Sequence, residues 1–174
     1  FGTTRGAIRF HDGQWAYRQG LRWLPDDHVR AIAVDADGNA WFATAKGLGY
    51  IERRPMTLAR KAAHYEDEIE RLIKRTPWGF VASVHLPQAG DRSHVRHEDN
   101  DNDGLWTAMY GASQCFAYAA TKSPQAKQRA QAAFEALKFL QTVTQGGEPS
   151  PPPGYVARTV RSTTDPDPNQ GRFE

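Results

Sequence analysis

The densest group of reactive side chains lies in residues 94–104, which read His-Val-Arg-His-Glu-Asp-Asn-Asp-Asn-Asp-Gly. Two histidines, one arginine and four carboxylates at this density carry an electrostatic cost. That cost is tolerable where the groups are solvated, bind a cation or lie at the positive end of a helix. Functional use explains the cost better than chance does, so we expect this acidic loop to bind a ligand.

Asp99, Asp101 and Asp103, followed by Gly104, match the first half of a calcium loop, whose alternating oxygen ligands surround a hard cation. The twelfth position falls on Tyr110, which supplies no bidentate carboxylate, so the pattern argues against an EF-hand and leaves open a looser site with calcium as cofactor. In the alternative interpretation Asp103 only caps the following helix and the other two are solvated. His94 and His97 could face one ligand or could be solvated loop residues.

Trp106 and Tyr110 are four residues apart and are predicted to project from the same side of a helix. The apolar face of a sugar ring can stack on such rings while Asp, Asn, His and Arg bind its hydroxyls, so the pair predicts a sugar platform. A tyrosine whose pKa is lowered by nearby cations can also exchange protons with a sugar, which gives Tyr110 a second possible role. Core packing is the alternative for both rings.

The composition excludes several classes of protein. Among 174 residues, 22 basic and 20 acidic side chains are spread along the chain, which offers no basic stripe for nucleic acid. No apolar run is long enough to cross a bilayer, and the first residues lack the pattern of a signal peptide. A single cysteine, Cys115, excludes an internal disulfide and a multi-cysteine zinc site, and we expect it to be a buried thiol in a helix.

The first third of the chain contains a repeat. Residues 1–10, Phe-Gly-Thr-Thr-Arg-Gly-Ala-Ile-Arg-Phe, are echoed forty-one positions later by residues 42–51, Phe-Ala-Thr-Ala-Lys-Gly-Leu-Gly-Tyr-Ile. This period, with strand-like segments and Asp-Gly turns, is typical of a β-propeller blade. Because one blade cannot cover both of its faces, we expect a homo-oligomer or a fragment of a larger chain. The strands are predicted at Ala7–Phe10, Gln14–Arg18, Val29–Asp35, Ala40–Thr44 and Gly49–Glu52, with Trp15, Trp23, Ile32, Val34, Trp41 and Phe42 as packing residues.

The rest of the chain is predicted to be mostly helical. Thr57 can cap an amphipathic helix from Leu58 to Lys74, and a short strand spans Phe80–Leu86. A helix buried on nearly every side is expected from Leu105 to Thr121, and Ser123 and Pro124 begin another that ends near Thr142, so that the two form an antiparallel hairpin. The predicted fold class is therefore α+β, divided into a blade-like segment (1–54), a helical segment (55–148) and an extended proline-rich arm (149–174) that needs a partner surface.

The blade-like segment resembles the propeller repeats in the periplasmic sensor regions of hybrid two-component regulators. The resemblance lies in Leu24-Pro25-Asp26-Asp27-His28-Val29 and in residues 35–44, Asp-Ala-Asp-Gly-Asn-Ala-Trp-Phe-Ala-Thr. It implies a periplasmic or extracellular location.

Residues 99–107 and the Ala- and Tyr-rich hairpin after them resemble helical-hairpin toroid proteins, the architecture of many polysaccharide lyases and glycoside hydrolases. The resemblance implies β-elimination on a polysaccharide that contains uronic acid. Asn100 or Arg96 would neutralise the sugar carboxylate, His97 would remove the proton and Tyr110 would protonate the leaving oxygen. His94, Asp101, Trp106 and Arg158 would bind the substrate.

Three alternatives stay open. A glycoside hydrolase would use two of Asp99, Asp101 and Asp103 as acid and base. A sensor or binding module would recognise a polysaccharide or oligosaccharide without turning it over. A fragment of a larger assembly would have structure and no activity of its own.

Overall fold

The computed structural model describes residues 1–166, and contacts divide them into two compact units. The first unit comprises Phe1–Ala62 and Leu86–His94, and the second comprises Ala63–His85 and residues 95–166. Small antiparallel sheets and three α-helices make up these residues, which confirms the α+β class. The end of the predicted arm, 167–174, lies outside the described residues.

Two three-stranded antiparallel sheets form most of the first unit. One consists of β1 (Gly2–Thr3), β2 (Gly6–His11) and β3 (Gln14–Arg18), and the other of β4 (Val29–Val34), β5 (Ala40–Thr44) and β6 (Gly47–Ile51). Asp12 and Gly13, both at positive φ, form the two-residue turn between β2 and β3, because a two-residue turn of this conformation matches the twist of the flanking strands. The five strands predicted from the sequence are therefore found within two residues of their expected ends.

The sequence repeat is also a repeat of hydrogen bonds. Between β1 and β2, the Thr3 hydroxyl donates to the Gly6 carbonyl over 2.8 Å and accepts from the Arg5 amide. Forty-one residues later, the Thr44 hydroxyl donates to the Gly47 carbonyl over 2.7 Å and accepts from the Lys46 amide. Both glycines have positive φ, 107° and 143°, a region that side-chain-bearing residues rarely adopt. The Thr-x-x-Gly turn is thus one structural unit used twice.

The core of the first unit lies between its two sheets. Ala7, Leu24, Val29 and Phe42 are buried there, with Ile32, Ala40 and Ile51 packed against them. Four of the residues expected to pack, Trp15, Trp23, Val34 and Trp41, are exposed instead. The prediction was wrong for the three that lie in strands, Trp15, Val34 and Trp41, because each sheet has only one covered face and alternate side chains of a strand point outward. Trp23 lies in the connection between β3 and β4.

The first helix, α1, spans Leu58–Glu68 and continues as a single π-helical turn, Ile69–Ile73. Its start was predicted correctly, because the Thr57 hydroxyl accepts a hydrogen bond from the Arg60 amide and so caps the helix. The amphipathic pattern places Leu58 and Tyr65 on the apolar face and predicts that both are buried, but Leu58 is 86% exposed and Tyr65 is exposed as well, so this part of the prediction was wrong.

The second unit is built on a helical hairpin. It has two short two-stranded sheets, β7 (Lys74–Arg75) with β8 (Phe80–Val81) and β9 (Ser83–His85) with β10 (Arg96–Glu98), followed by α2 (Asp103–Thr121) and α3 (Pro124–Thr142). A Cβ on Gly111 would lie 3.0 Å from the Ala133 Cβ, and one on Gly104 would lie 3.2 Å from Leu140. Because position 104 faces position 140 and position 111 faces position 133, the two helices run antiparallel and in close contact, as predicted. The Ser123 hydroxyl caps α3 by accepting a hydrogen bond from the Ala126 amide.

The covered face of α2 is polar, which contradicts the expectation that apolar residues bury this helix on nearly every side. Asp103, Thr107, Tyr110, Gly111 and Gln114 are its buried residues. Its large apolar side chains point outward, with Phe116 77% exposed, and Leu105, Trp106 and Met109 are exposed as well. Cys115 of α2, which was expected to be a buried thiol, is exposed, and Phe134 of α3 is exposed as well. The reason is that the inward polar groups find hydrogen-bond partners elsewhere in the unit.

The chain after α3 returns to cover the end of the hairpin. The Ala157 amide donates to the Leu140 carbonyl over 2.9 Å, and Thr144 donates its hydroxyl proton to the Tyr155 carbonyl. Ala157 and Val160 pack against the buried cluster of Phe80, Ala136 and Leu140. This part of the predicted arm therefore finds its partner surface within the second unit.

Candidate functional site

The three alternating aspartates of the acidic loop do not converge on one point. Asp99 lies 3.5 Å from Arg161, Asp101 lies 3.2 Å from Arg158, and Asp103 pairs with Arg75. Within the described residues, no three side chains of the His, Cys, Asp or Glu type are arranged to hold a metal ion. The predicted calcium ligand set is therefore corrected to an arginine–aspartate ladder, in which each carboxylate is balanced by its own guanidinium.

Asp103 carries the buried end of this ladder. Its carboxylate is fully buried and accepts hydrogen bonds from Arg75 and, over 2.6 Å, from the Thr159 hydroxyl. Arg75 also donates to the Val160 carbonyl over 2.7 Å, so one ion pair joins β7, the start of α2 and the returning chain. Asp103 is the first residue of α2 and makes no capping bond to the helix amides, so the capping interpretation was wrong.

Tyr110 lies in a second polar cluster and not in the acidic loop. Its hydroxyl donates to Glu66, and the Gln114 amide donates to the other oxygen of Glu66 over 2.7 Å. Burial raises the pKa of Tyr110, and the hydrogen bond to Glu66 and the charges of Glu66 and Glu70 raise it further, against a smaller opposing effect of Arg129. The expectation of a lowered pKa was therefore wrong, because carboxylates and not cations dominate around the phenol.

Glu70 ties this second cluster to two cations. Its Oε1 lies 2.7 Å from Lys74 Nζ and 3.1 Å from Arg129 Nε. Burial acts to raise the pKa of Glu70, but the hydrogen bonds and charges of Lys74 and Arg129 outweigh it, so the pKa is lowered overall. The cluster is a set of matched charges around one neutral phenol.

The other predicted site residues have separate partners. Asn100 donates to the Ser83 hydroxyl over 2.9 Å, and Arg96 pairs with Glu98 at 3.0 Å. Arg158 binds both the carboxylate and the carbonyl of Asp101. His94 belongs to the first unit, where its Nδ1 lies 2.9 Å from the Ser93 hydroxyl.

The two aromatic residues of the predicted sugar platform differ in exposure. Trp106 is 41% exposed, whereas Tyr110 is buried beneath the surface with its hydroxyl on Glu66. The prediction of a two-ring platform was therefore wrong, since a sugar cannot stack on a ring that the protein covers.

A groove of about 480 Å³ in the second unit brings together two of the predicted residues, His97 and Asp99. Trp78 and Phe139 form its aromatic wall, with ring centroids 4.2 Å apart and planes inclined by 12°. Arg161, Ser162 and Asp165 of the returning chain add polar groups. An exposed aromatic face surrounded by hydrogen-bonding groups is suited to stacking a sugar ring and binding its hydroxyls.

Trp78 reaches the groove because of a tight turn between β7 and β8. The Gly79 amide donates to the Thr76 carbonyl over 3.0 Å, and both Thr76 and Gly79 have positive φ. This turn carries Trp78 at its tip, where the ring is 44% exposed. The Thr-Pro-Trp-Gly sequence is a recognisable turn signal, and it was the available clue to Trp78. Phe139 and the returning chain carry no such clue, because only folding brings them to the groove.

Comparison with known proteins gives one match, which lies in the first unit. Residues 24–46 match the family model described as Two component regulator propeller, a segment that contains β4 and β5. The match confirms the propeller repeat predicted for this segment. No curated protein and no solved structure matches the chain. The resemblance to toroid lyases and hydrolases stays a prediction.

Among the described residues, no helix has both the length and the apolar character that crossing a membrane requires.

Proposed function

We propose that the groove of the second unit binds an oligosaccharide, with Trp78 as the stacking platform. Trp78 stacks on Phe139, remains 44% exposed and lies in the same groove as His97, Asp99 and Arg161. This arrangement is the observation that carries the proposal. The Phe139 ring fixes the orientation of the indole, so little side-chain entropy is lost when a sugar stacks on it.

Binding is favoured over turnover because the proposed catalytic residues are dispersed. A lyase needs its base and its acid within hydrogen-bond reach of the same sugar ring. His97 lines the groove, but Tyr110 is buried on Glu66 and Asn100 is engaged by Ser83. The second unit is therefore proposed as a binding module, and β-elimination stays a separate hypothesis with its own test.

The charges in the groove favour a neutral sugar over a uronate. Arg75 is already paired with Asp103, and Arg161 lies 3.5 Å from Asp99. A uronate would have to compete with these carboxylates for the same guanidinium groups. Neutral hydroxyls can instead add hydrogen bonds to the existing pairs.

The proposal extends to the setting of the chain. We take the two sheets of the first unit as parts of neighbouring propeller blades, in an oligomer or a longer protein that covers their outer faces. We propose a periplasmic or extracellular location as well, because polysaccharides are encountered there. The support is the duplicated Thr-x-x-Gly turn and the propeller match over residues 24–46.

The proposal is tested by titrating the chain with xylohexaose, cellohexaose, maltohexaose and tetragalacturonate in isothermal calorimetry. We expect at least one neutral oligosaccharide to bind and Trp78→Ala to weaken it about ten-fold or more, the loss of a stacking face. Trp106→Ala is the matched control, since Trp106 has nearly the same exposure and lies outside the groove. Absence of binding to all four sugars, or equal losses in the two variants, would overturn the proposal.

The lyase hypothesis is tested by incubating the chain with polygalacturonate and recording the ultraviolet absorbance of unsaturated product. We expect none. Product that disappears in both His97→Ala and Tyr110→Phe, with the circular dichroism of both variants unchanged, would replace the binding proposal with catalysis.

A further inference from the structure

A second concave site lies in the first unit, between its two sheets. This cleft has a volume of about 640 Å³, within the range of small-molecule sites. Its floor is apolar and includes the buried Ala7 and Phe42 together with Ile32 and Ile51. The oligosaccharide proposal for the second unit does not involve this cleft.

Three arginines line the same cleft, Arg9, Arg18 and Arg53. Within residues 1–166, none of them is within ion-pair distance of a carboxylate. Glu52 also lines the cleft, but its carboxylate lies 2.6 Å from Arg54, which lowers the pKa of Glu52 through a hydrogen bond. The cleft therefore has an excess of positive charge beside an apolar floor.

The wall of the cleft is flat and aromatic at one point. The Arg18 guanidinium lies 4.3 Å from the centroid of the Trp23 ring, and both residues line the cleft. One Nη of Arg18 donates to the Tyr17 carbonyl over 2.9 Å, and the contact with Trp23 restricts the guanidinium further. The remaining N–H donors of Arg18 can form charge-assisted hydrogen bonds to a carboxylate.

We propose that this cleft is a binding site for a small aromatic carboxylate, with the ring on the apolar floor and the carboxylate at Arg18 and Arg53. Charge complementarity decides the class of ligand. A cationic ligand would meet three guanidinium groups and no unpaired carboxylate. An uncharged aromatic compound would fill the floor and leave the guanidinium groups without an anion.

The proposal is tested with naphthalene-2-carboxylate as the probe and naphthalene-2-carboxamide as its uncharged match. Binding to the full chain is measured by calorimetry and located by chemical shifts of the Ile32 and Ile51 methyl groups. We expect the carboxylate to bind about ten-fold more tightly than the amide, the size of one charge-assisted interaction. Equal affinities, or shifts absent from both isoleucines, would overturn the proposal.

Matched arginine variants locate the charge that is responsible. Arg18→Gln and Arg53→Gln should each reduce the preference for carboxylate over amide, and the double variant should abolish it. Arg22→Gln is the control, because Arg22 lies 5.5 Å from the same Trp23 ring and does not line the cleft. Loss of the preference in Arg22→Gln as well would show a general charge effect and contradict the proposed site.

A second copy of the chain is the competing occupant of this apolar cleft. Sedimentation equilibrium across the concentrations used for calorimetry distinguishes the two. A monomer that binds the carboxylate supports the proposal. A dimer that dissociates when Val34→Glu is introduced at the cleft, and that does not bind the probe, refutes it.

Discussion

Three arginines of the first unit and four arginines of the second unit have different surroundings. In the second unit Arg75, Arg129, Arg158 and Arg161 each bind one or more carboxylates, and these pairs join segments that are distant in sequence. In the first unit Arg9, Arg18 and Arg53 surround an apolar cleft with no carboxylate within ion-pair distance among the described residues. The difference separates charge that holds the chain together from charge that is available to a ligand.

Burial decides how much each structural pair contributes. Both side chains of the Arg75–Asp103 pair are largely buried, whereas both side chains of the Arg158–Asp101 pair are mostly exposed. Water screens the exposed pair and leaves it little net stability. A buried pair that loses one partner leaves a charge without solvation, which is far more costly.

The largest effect is therefore expected for Asp103→Ala. Removal of this carboxylate leaves Arg75 buried and uncompensated and should reduce the free energy of unfolding by about 3–5 kcal/mol. Urea denaturation followed by circular dichroism measures the loss. Asp101→Ala is the control and should cost less than about 1 kcal/mol. Similar losses in the two variants would mean that burial does not decide how much each of these ion pairs contributes to stability.

A medium effect is expected for Tyr110→Phe. The variant loses the hydrogen bond to Glu66 and should be destabilised by about 1–2 kcal/mol in urea denaturation. Because the pKa of Tyr110 is raised in the folded state, its contribution to stability is fully present below the ordinary tyrosine pKa and decreases as the pH rises above it.

The same pKa shift has a spectroscopic consequence. In an alkaline titration followed by phenolate absorbance, Tyr110 should ionise after the other five of the six tyrosines, so the steps seen at lower pH should be unchanged in Tyr110→Phe. If Tyr110→Phe instead lacks an ionisation step at low pH, the pKa of Tyr110 is lowered, which contradicts the effect assigned here to burial and Glu66.

The smallest effect on stability is expected for Arg18→Gln and Arg53→Gln. Neither side chain has a carboxylate partner to lose, and Arg18 loses its contact with the Trp23 ring, so each variant should change the free energy of unfolding by less than about 1 kcal/mol. Thermal and urea unfolding measure this. A loss as large as that of Asp103→Ala would mean that the arginines of the first unit are structural, and the contrast between the two units would disappear.

Local signals in the sequence predicted where most elements begin. Thr57 and Ser123 start helices through side-chain caps, and Asp12-Gly13 forms a hairpin turn, because each of these effects acts within a few residues. The duplicated turn was likewise visible as a forty-one-residue period.

The orientation of α2 could not be predicted in the same way. Its buried polar residues depend on Glu66, Arg75 and the Val81 amide, which donates to Thr107 over 3.0 Å. These partners are distant in sequence, so apolar composition alone indicated the wrong face. The density of charge in the acidic loop predicted a ligand or cation, but the groups that pair with Asp99 and Asp101 are arginines supplied by a distant segment of the chain.

The duplicated Thr-x-x-Gly turn makes the first unit modular. The strands pair in the same register at both turns, Thr3 with Gly6 and Thr44 with Gly47. We therefore expect a cassette running from one turn to the next to tolerate duplication in tandem, with each junction at equivalent positions. Such insertion would lengthen the array by whole repeats and would leave the hydrogen bonds of the flanking hairpins intact.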